Sequence, residues 1–293
     1  MKKKLLTIIL VLALSVTVIL AFTACDLFSR GGNGTGGNGG DVPKANYDHF
    51  YIEDNEVVGL TALGAQQTIL VVPASVTAIN RNAREQDPSP FRGMELLHPV
   101  TVKFEANSNL EVIGNNSFFA IHALESITIP ASVTRIGMRA FNSARGLHTV
   151  IFEPNSRLES IAEGAFFDTP LLESITIPAS VTSIGRFNGS SVFGAPANNP
   201  GTGLRTINFE ANSSLRFIGD AVFSRATNLQ SITILRSVET IGRSAFSGWT
   251  QEQTIYVQGR TEDEIPHGWT QASGFNSFTW ISGSNANLVW GVE

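Results

Sequence analysis

The strongest constraint on the fold of this chain is that its sequence repeats itself. The segment SITIPASVT occurs twice without change, at 126–134 and 174–182, and TVIFEPNSRLESI at 149–161 has counterparts at 101–113 and 206–218. Repeats of 20 to 50 residues are typical of solenoids, in which each unit packs mainly on its neighbours. The sequence therefore predicts one elongated repeat fold.

The repeat lengths follow a larger period. If the first inward position of each predicted strand is taken as its anchor, successive anchors lie 32, 25, 23, 25, 32, 25 and 23 residues apart. Each of the last four anchors lies 105 residues after one of the first four. A tandem duplication of a four-repeat block explains this order, so we expect one continuous solenoid of about eight coils over 68–258. The anchors are Leu70, Val102, Ile127, Val150, Ile175, Ile207, Ile232 and Ile255.

A single unit can be interpreted physically. The segment 124–129 alternates inward apolar and outward polar side chains, which is typical of a short strand with one buried face. Pro130 ends the strand because it has no N–H for a ladder, and 133–136 returns along a second face. Gly137 allows a tight turn, and Phe141 closes the coil as a buried aromatic plug. The plug recurs at Phe118, Phe166, Phe223 and Phe246, with Phe193 as a looser match.

The repeat has the form L-x-x-I-x-I-P-x-S-V-x-x-I-G-x-x-A-F over about 60–258. A period of 23 residues with this strand pattern is typical of leucine-rich repeats. The form resembles the BspA-like repeats of bacterial surface proteins. This resemblance implies a β-rich leucine-rich-repeat solenoid with a parallel sheet on one face. It also implies adhesion to host matrix proteins, host cells or other bacteria.

Both ends of the predicted solenoid have segments that can cover the terminal coils. Two apolar runs flank Asp54-Asn55 within 46–67, which predicts a hairpin in an N-terminal cap. The C-terminal segment 259–293 contains NANLVW at 285–290, which predicts a last strand in a C-terminal cap. We expect its tryptophans to cover the last coil and not to bind a ligand. They are Trp269, Trp280 and Trp290.

The first 25 residues have the layout of an export signal. Three lysines precede an uncharged apolar run at 5–21, which ends in small residues before Cys25, the only cysteine. This arrangement resembles the lipobox of bacterial lipoproteins, which implies a signal peptide over 1–24 and lipidation of Cys25. The alternative is an uncleaved membrane-spanning helix. The glycine-rich stretch within 25–45 predicts a flexible tether. We therefore expect a protein of the bacterial cell envelope, anchored to the membrane by lipid and exposed on the outer surface.

Composition narrows the possible functions. Acidic residues outnumber basic ones by 25 to 20, and the arginines are scattered, so nucleic-acid binding is excluded. A lone cysteine allows no intramolecular disulfide and no thiolate metal cluster. The five histidines lack metal-ligand spacing, so no metal and no cofactor are expected.

The sequence indicates no catalytic site. No Gly-x-Ser-x-Gly elbow is present, and a lipidated Cys25 cannot act as a nucleophile. Glu105, Glu153 and Glu210 recur at one repeat position, which a structural role predicts. We therefore expect a protein that is not an enzyme. A hydrolase with an unrecognised carboxylate pair is the least favoured alternative.

The predicted sheet offers a first candidate binding surface. The outward position after each anchor is mostly polar and uncharged, which would give a flat, hydroxyl-rich face. The alternative is that β-branched polar residues simply suit exposed strands. The candidate binding residues on this face are Thr128, Thr176, Asn208, Thr233 and Tyr256.

Two insertions offer a second candidate surface. The segments 81–99 and 186–203 lengthen equivalent repeats, so they leave the same edge four coils apart, or about 19 Å. They are expected to lie outside the repeated core, as binding loops or as tolerated insertions. Either surface would bind an extracellular protein or glycan; the alternative function is a carbohydrate-binding or envelope-scaffolding lipoprotein. The candidate residues in the insertions are Pro90, Phe91, Arg92, Pro196, Asn198 and Asn199.

Overall fold

Each repeat adds one coil to a solenoid, and most coils carry one longer and one two-residue strand. The computed structural model describes residues 45–81, 88–91, 99–186, 189–196, 203–266, 269, 281 and 283–293. The predicted β-rich leucine-rich-repeat fold is confirmed, with short 3-10 helices at Gly64–Gln66 and Glu262–Glu264. The strands are β1 (Ala45–Tyr47), β2 (Phe50–Glu53), β3 (Glu56–Leu60), β4 (Ile69–Val72), β5 (Ala78–Ile79), β6 (Val100–Phe104), β7 (Val112–Ile113), β8 (Leu124–Ile129), β9 (Arg135–Ile136), β10 (Thr149–Phe152), β11 (Ser160–Ile161), β12 (Ser174–Ile177), β13 (Ser183–Ile184), β14 (Thr206–Phe209), β15 (Phe217–Ile218), β16 (Ser231–Ile234), β17 (Thr240–Ile241), β18 (Thr254–Gln258) and β19 (Asn287–Val292).

The longer strands form the outer face, which comprises β4, β6, β8, β10, β12, β14, β16 and β18. Neighbouring strands pair in parallel, as the sequence predicts. The sheet is nevertheless interrupted. Hydrogen-bonded pairing gives three sheets in the orders β10-β8-β6-β4, β12-β14 and β16-β18-β19. The outer face is therefore built from blocks and not from one continuous ladder.

The two-residue strands form the short-strand face, which is continuous. β5, β7, β9, β11, β13, β15 and β17 pair in parallel one after another. The N-terminal strands extend this ladder, so one ten-stranded sheet runs from β1 to β17. The second residue of each of these short strands is an isoleucine, and each of these isoleucines is buried. A ladder of very short strands thus holds every complete coil to its neighbours.

Coils alternate between two types, and the interruptions of the outer face follow this alternation. In one type the anchor lies nine residues before the isoleucine of the short strand (Ile127 and Ile136), and in the other it lies eleven residues before it (Val150 and Ile161). Strands pair fully within a coil pair, which joins a shorter coil to a longer one, while the junction after each longer turn is shifted, as between β6 and β8, or unpaired. The coil pairs are β4–β6, β8–β10, β12–β14 and β16–β18. The longer turns contain Asn107, Asn155 and Asn212, each with a φ near +60°.

A column of phenylalanine rings fills the third side of the solenoid. Phe118 and Phe141 stack with centroids 5.1 Å apart and planes 3° from parallel, and the other neighbours are similar. Phe193 is a full member of this column, 5.7 Å from Phe166. Phe91 is also a member, which the sequence analysis did not predict. The plug column consists of Phe91, Phe118, Phe141, Phe166, Phe193, Phe223 and Phe246, all of them buried.

Gly137 is required for a different reason from the one expected. It has no positive φ, so the tight turn does not explain it. A Cβ at this position would lie 2.5 Å from the carbonyl carbon of Gly114 in the preceding coil. Positive φ values occur two residues later, at Arg139, and at the equivalent Gly164 and Ala221. Glycine therefore allows adjacent coil backbones to approach closely.

Both ends carry added strands. β2 and β3 form an antiparallel hairpin through Asp54 and Asn55, whose φ values of 48° and 61° suit a type I′ turn. β3 then pairs with β5, so the hairpin covers the first short strand. At the other end β19 pairs with β18, and Trp269 is buried while Trp290 is half-buried. Trp280 lies outside the described residues.

Candidate binding surfaces

The outer face presents the side chains that the strand alternation predicts. Thr128, Thr176 and Asn208 are exposed, whereas Thr233 and Tyr256 are half-buried. Register places Thr176 beside Asn208, and Thr233 beside Tyr256. The five candidate residues therefore lie on one side of the solenoid, in more than one of the three sheets.

Exposed aliphatic side chains, which the sequence did not indicate as candidate binding residues, lie between these polar residues. Ile151 is 53% exposed and lies beside Thr128. Ile69 and Val71 on β4 and Val289 on the capping strand β19 are also exposed. Lys103 is the only charged residue at the outward positions flanking the eight anchors, all of which are described. The outer face is thus mixed aliphatic and hydroxyl-bearing, and nearly without charge.

The recurring glutamates have the structural role that was expected. The Oε2 atom of Glu153 accepts a hydrogen bond from the backbone N–H of Ala131 at 2.9 Å. Glu105 and Glu210 make the same bond to Ala74 and Ala179, at 2.8 and 2.9 Å. In each case the carboxylate caps the Pro-Ala-Ser turn of the other coil in the pair. These glutamates stabilise the turns, and no second carboxylate is needed to explain their positions.

The insertions are not simple excursions from the core, which corrects a prediction. Phe91 and Pro90 are buried, so they cannot form the exposed contacts expected of them. Ser89 donates a hydrogen bond to the carbonyl of Ser117 at 2.6 Å, and Ser191 donates one to that of Val222 at 3.0 Å. The described part of each insertion therefore belongs to the core, because it forms the side of its coil that carries the plug phenylalanine.

The other insertion candidates divide between described and undescribed residues. Pro196 is half-buried, next to the buried Ala195. Arg92, Asn198 and Asn199 lie outside the described residues.

A family model supports the repeat assignment. The model described as "BspA type Leucine rich repeat region" matches in six copies, over 68–192 and 201–269. The chain belongs to the BspA-type leucine-rich-repeat family. A search of curated proteins gave no match.

Among the solved structures that match this chain are three of bacterial proteins. The pneumococcal vaccine antigen PcpA is 18% identical, with 74% of this chain and 73% of that chain covered and a TM-score of 0.44. A leucine-rich repeat protein from Bacteroides ovatus is 20% identical, with coverage of 85% and 62% and a TM-score of 0.40. The leucine-rich repeat protein of T. pallidum is 18% identical, with coverage of 80% and 81% and a TM-score of 0.33.

Two buried carboxylates on the plug side of this BspA-type chain are bound by arginines. Asp168 Oδ2 accepts hydrogen bonds from Arg145 Nε at 3.0 Å and Nη2 at 2.9 Å, and from Ser143 Oγ at 3.3 Å. Glu163 Oε1 lies 2.8 Å from Arg186 Nε. Both pairs join consecutive coils, so they tie the stack together.

The described residues contain neither a metal-ligand cluster nor a membrane-spanning helix. No group of three or more His, Cys, Asp or Glu side chains among them could hold a metal ion. Within the same residues, no helix has the length and apolar character needed to cross a membrane.

Proposed function

We propose that this chain is a lipid-anchored protein of the bacterial outer surface that binds an extracellular macromolecule through its outer face. Its role would be adhesion to host matrix or host cells. The observation that carries the proposal is the chemistry of the outer face, which combines exposed Ile151 and Thr128 side chains with almost no charge. Charged residues are depleted in the cores of protein interfaces, so such a face suits a buried contact.

Side-chain rigidity also favours this face as a docking surface. Thr, Ile and Val are β-branched and have few χ1 rotamers, so they lose little conformational entropy when a partner immobilises them. The candidates Thr128 and Thr176 and the exposed Ile151 are all of this kind. The short-strand face is different, because it carries surface ion pairs such as Arg216–Glu239 at 2.8 Å.

The size of the outer face sets a requirement on any protein partner. With β19, nine parallel strands lie about 4.8 Å apart and are about four residues long, which gives roughly 500 Å². A standard protein interface buries about 800 Å² per partner. A tight protein partner must therefore also contact an edge or an end of the solenoid.

The proposed binding mode can be tested with one charge substitution. We expect Ile151→Asp to weaken binding to any protein partner found in a screen of matrix proteins at least about tenfold, because it places an unpaired carboxylate in the contact. Leu171→Asp is the matched control, since Leu171 is also 53% exposed but lies outside the outer face. Equal affinities of the two variants would place recognition elsewhere.

A glycan-binding function is the second candidate, with envelope scaffolding as its non-adhesive variant. Tyr256 supports the glycan reading because it is the aromatic side chain on the outer face and lies beside exposed Val289. Sugar sites commonly combine an aromatic surface with a few polar groups. In this case a glycan array should give binding that is lost in Tyr256→Ala, and the matrix-protein screen should give none.

The anchor has its own experiment. Metabolic labelling with an alkyne fatty acid should tag the wild type and leave Cys25→Ala unlabelled. Two acyl chains suffice for stable membrane attachment. Equal labelling of both proteins would remove the lipid anchor from the proposal.

A further inference from the structure

The fourth coil pair departs from the other three at the two positions that set the charge of the turn. Where the others have alanine, at Ala74, Ala131 and Ala179, the last pair has Arg236. Where the others have a capping glutamate, it has Gln258, whose Oε1 accepts from the N–H of Arg236 at 3.3 Å. A carboxylate is lost and a guanidinium is gained at one site.

A second arginine lies against the first. Arg260 Nη2 donates a hydrogen bond to the carbonyl of Arg236, and the Arg260 guanidinium stacks over the Trp269 ring at 5.6 Å. Arg236 lies over Gly259, where its Nη1 is 3.0 Å from the position a Cβ would occupy. The side chain of Arg260 is therefore held in one orientation by a hydrogen bond and by its contact with an aromatic ring.

Within the described residues, no carboxylate forms a direct ion pair with either arginine of this pair. Burial, together with the neighbouring Arg236, lowers the pKa of Arg260, while Glu239 and Glu264 act in the opposite direction. Glu239 is already paired with Arg216 at 2.8 Å, and Glu264 Oε2 accepts from the N–H of Thr261 at 3.0 Å.

Other groups do not neutralise the pair either. No carboxylate of the described residues lies within ion-pair distance of Arg236 or Arg260. The sequence over 267–282 contains no Asp or Glu. In addition, Arg260 Nη1 is buried without a hydrogen-bond partner in the described part of the chain.

We propose that Arg236 and Arg260 form an anion site that binds the sulfate or carboxylate group of an acidic sugar. Guanidinium groups match such oxyanions through two parallel N–H donors. The adjoining strands favour a sugar over an acidic peptide. Thr233 presents a hydroxyl beside Tyr256, which offers an aromatic surface about 7 Å along the strand from Gln258. The site lies within the last coil pair and does not depend on the partner of the proposed function.

The other coil pairs supply the variants for the test. Arg236→Ala and Gln258→Glu each install the residue that three coil pairs already have at the same position, so both should fold. Arg205→Ala is the control, because it removes one exposed arginine that pairs with Glu173 at 3.3 Å in a different coil pair. Circular dichroism and the thermal midpoint of each variant verify the fold.

Calorimetric titration of the full-length protein in detergent uses a sulfated disaccharide, its uncharged parent, inorganic sulfate and an oligoglutamate peptide. We expect the sulfated disaccharide to bind the wild type and the Arg205→Ala control equally, and to bind both site variants at least about tenfold more weakly. Affinity should fall between about 50 and about 150 mM salt, because the contact is ionic.

Three results would overturn the inference. Unchanged affinity in Arg236→Ala and Gln258→Glu would remove the arginine pair from the site. Inorganic sulfate binding as tightly as the disaccharide would mean an adventitious ion only. Tighter binding of an oligoglutamate peptide than of the sugar would assign the site to acidic peptides. Each of these outcomes leaves the Ile151→Asp test of the outer face unaffected.

Discussion

The short-strand face and the outer face are built from the same coils, yet only one of them is continuous. The short-strand face joins ten strands in a single sheet, although most of its strands have two residues. The outer face has longer strands and is divided into three sheets. Strand length therefore does not determine continuity here, and the breaks in the outer face fall after the longer turns.

The two faces also differ in how uniform and how buried their residues are. The plug column and the short-strand ladder run through consecutive coils with little variation, and the plug rings and the isoleucines of the ladder are buried. The outer face tolerates breaks, exposed aliphatics and a charge reversal in its last coil pair. Mutations should therefore be costly on the plug and short-strand sides and inexpensive on the outer face.

The largest effect should come from the plug column. Phe141→Ala removes a ring that stacks on both Phe118 and Phe166, so we expect a loss of about 3–5 kcal/mol in the free energy of unfolding. Ile151→Ala on the outer face should cost less than about 0.5 kcal/mol because the side chain already meets solvent. Urea unfolding monitored by circular dichroism measures both. Similar losses in the two variants would contradict the expected difference in stability between the plug column and the outer face.

Close approach of the coils should give the next largest effect. Gly137→Ala places a Cβ against the backbone of Gly114, and we expect a loss of about 1–3 kcal/mol. Gly164→Ala is the control: its φ is +68°, and the nearest atom to a new Cβ is the flexible Arg139 Cγ at 3.1 Å. This control should cost about 1 kcal/mol, from backbone strain alone. The same unfolding measurement decides, and a larger loss in the control would contradict the close-approach explanation.

Turn capping on the outer face should matter less. Glu153→Ala removes the hydrogen bond to the Ala131 N–H, and we expect a loss of about 0.5–1 kcal/mol because the group is exposed. Glu153→Gln should cost less, since Gln258 makes the equivalent bond in the last coil pair. Hydrogen exchange should show the opening confined to the Pro130–Ala131 turn. Loss of protection along β9 and β11 would mean that the two faces are coupled.

The smallest effect should be a gain. Ala221 has a φ of 55° at the position where another coil has Gly164. Ala221→Gly should raise the free energy of unfolding by about 0.5 kcal/mol, because relief of left-handed strain slightly exceeds the entropy that glycine loses. A thermal midpoint lower than that of the wild type would show that the Ala221 methyl group contributes packing.

Much of this architecture could be predicted because its main features depend on residues that recur at the same position of each repeat. The anchors, the plug at Phe141 and a structural role of Glu153 all follow from residues that recur at one position. Phe91 was missed because it lies 102 residues before Phe193, while the overlay at 105 pairs it with Pro196. The plug residues within the two insertions are therefore offset by three residues relative to the 105-residue period.

Other features depend on differences between repeats. The breaks in the outer face follow the alternate turns that have two extra residues, and this pattern of hydrogen bonding appears only when the coils are stacked. The arginine pair was missed for a related reason. Arg236 and Gln258 were informative as departures from Ala131 and Glu153, and a search for similarity passes over departures.

The hydrogen bonds between coils have a mechanical consequence. They point along the solenoid axis, as in the bond from Gly137 N–H to the carbonyl of Ile113 at 2.7 Å. A pulling force applied between the two ends therefore acts on the coils in series. Each coil can then separate from its neighbour independently of the others. A coil of about 25 residues releases roughly 80–90 Å of extended chain when it peels. A tethered protein of this design would extend in small steps as single coils unfold under flow, and the coils would refold when the tension drops.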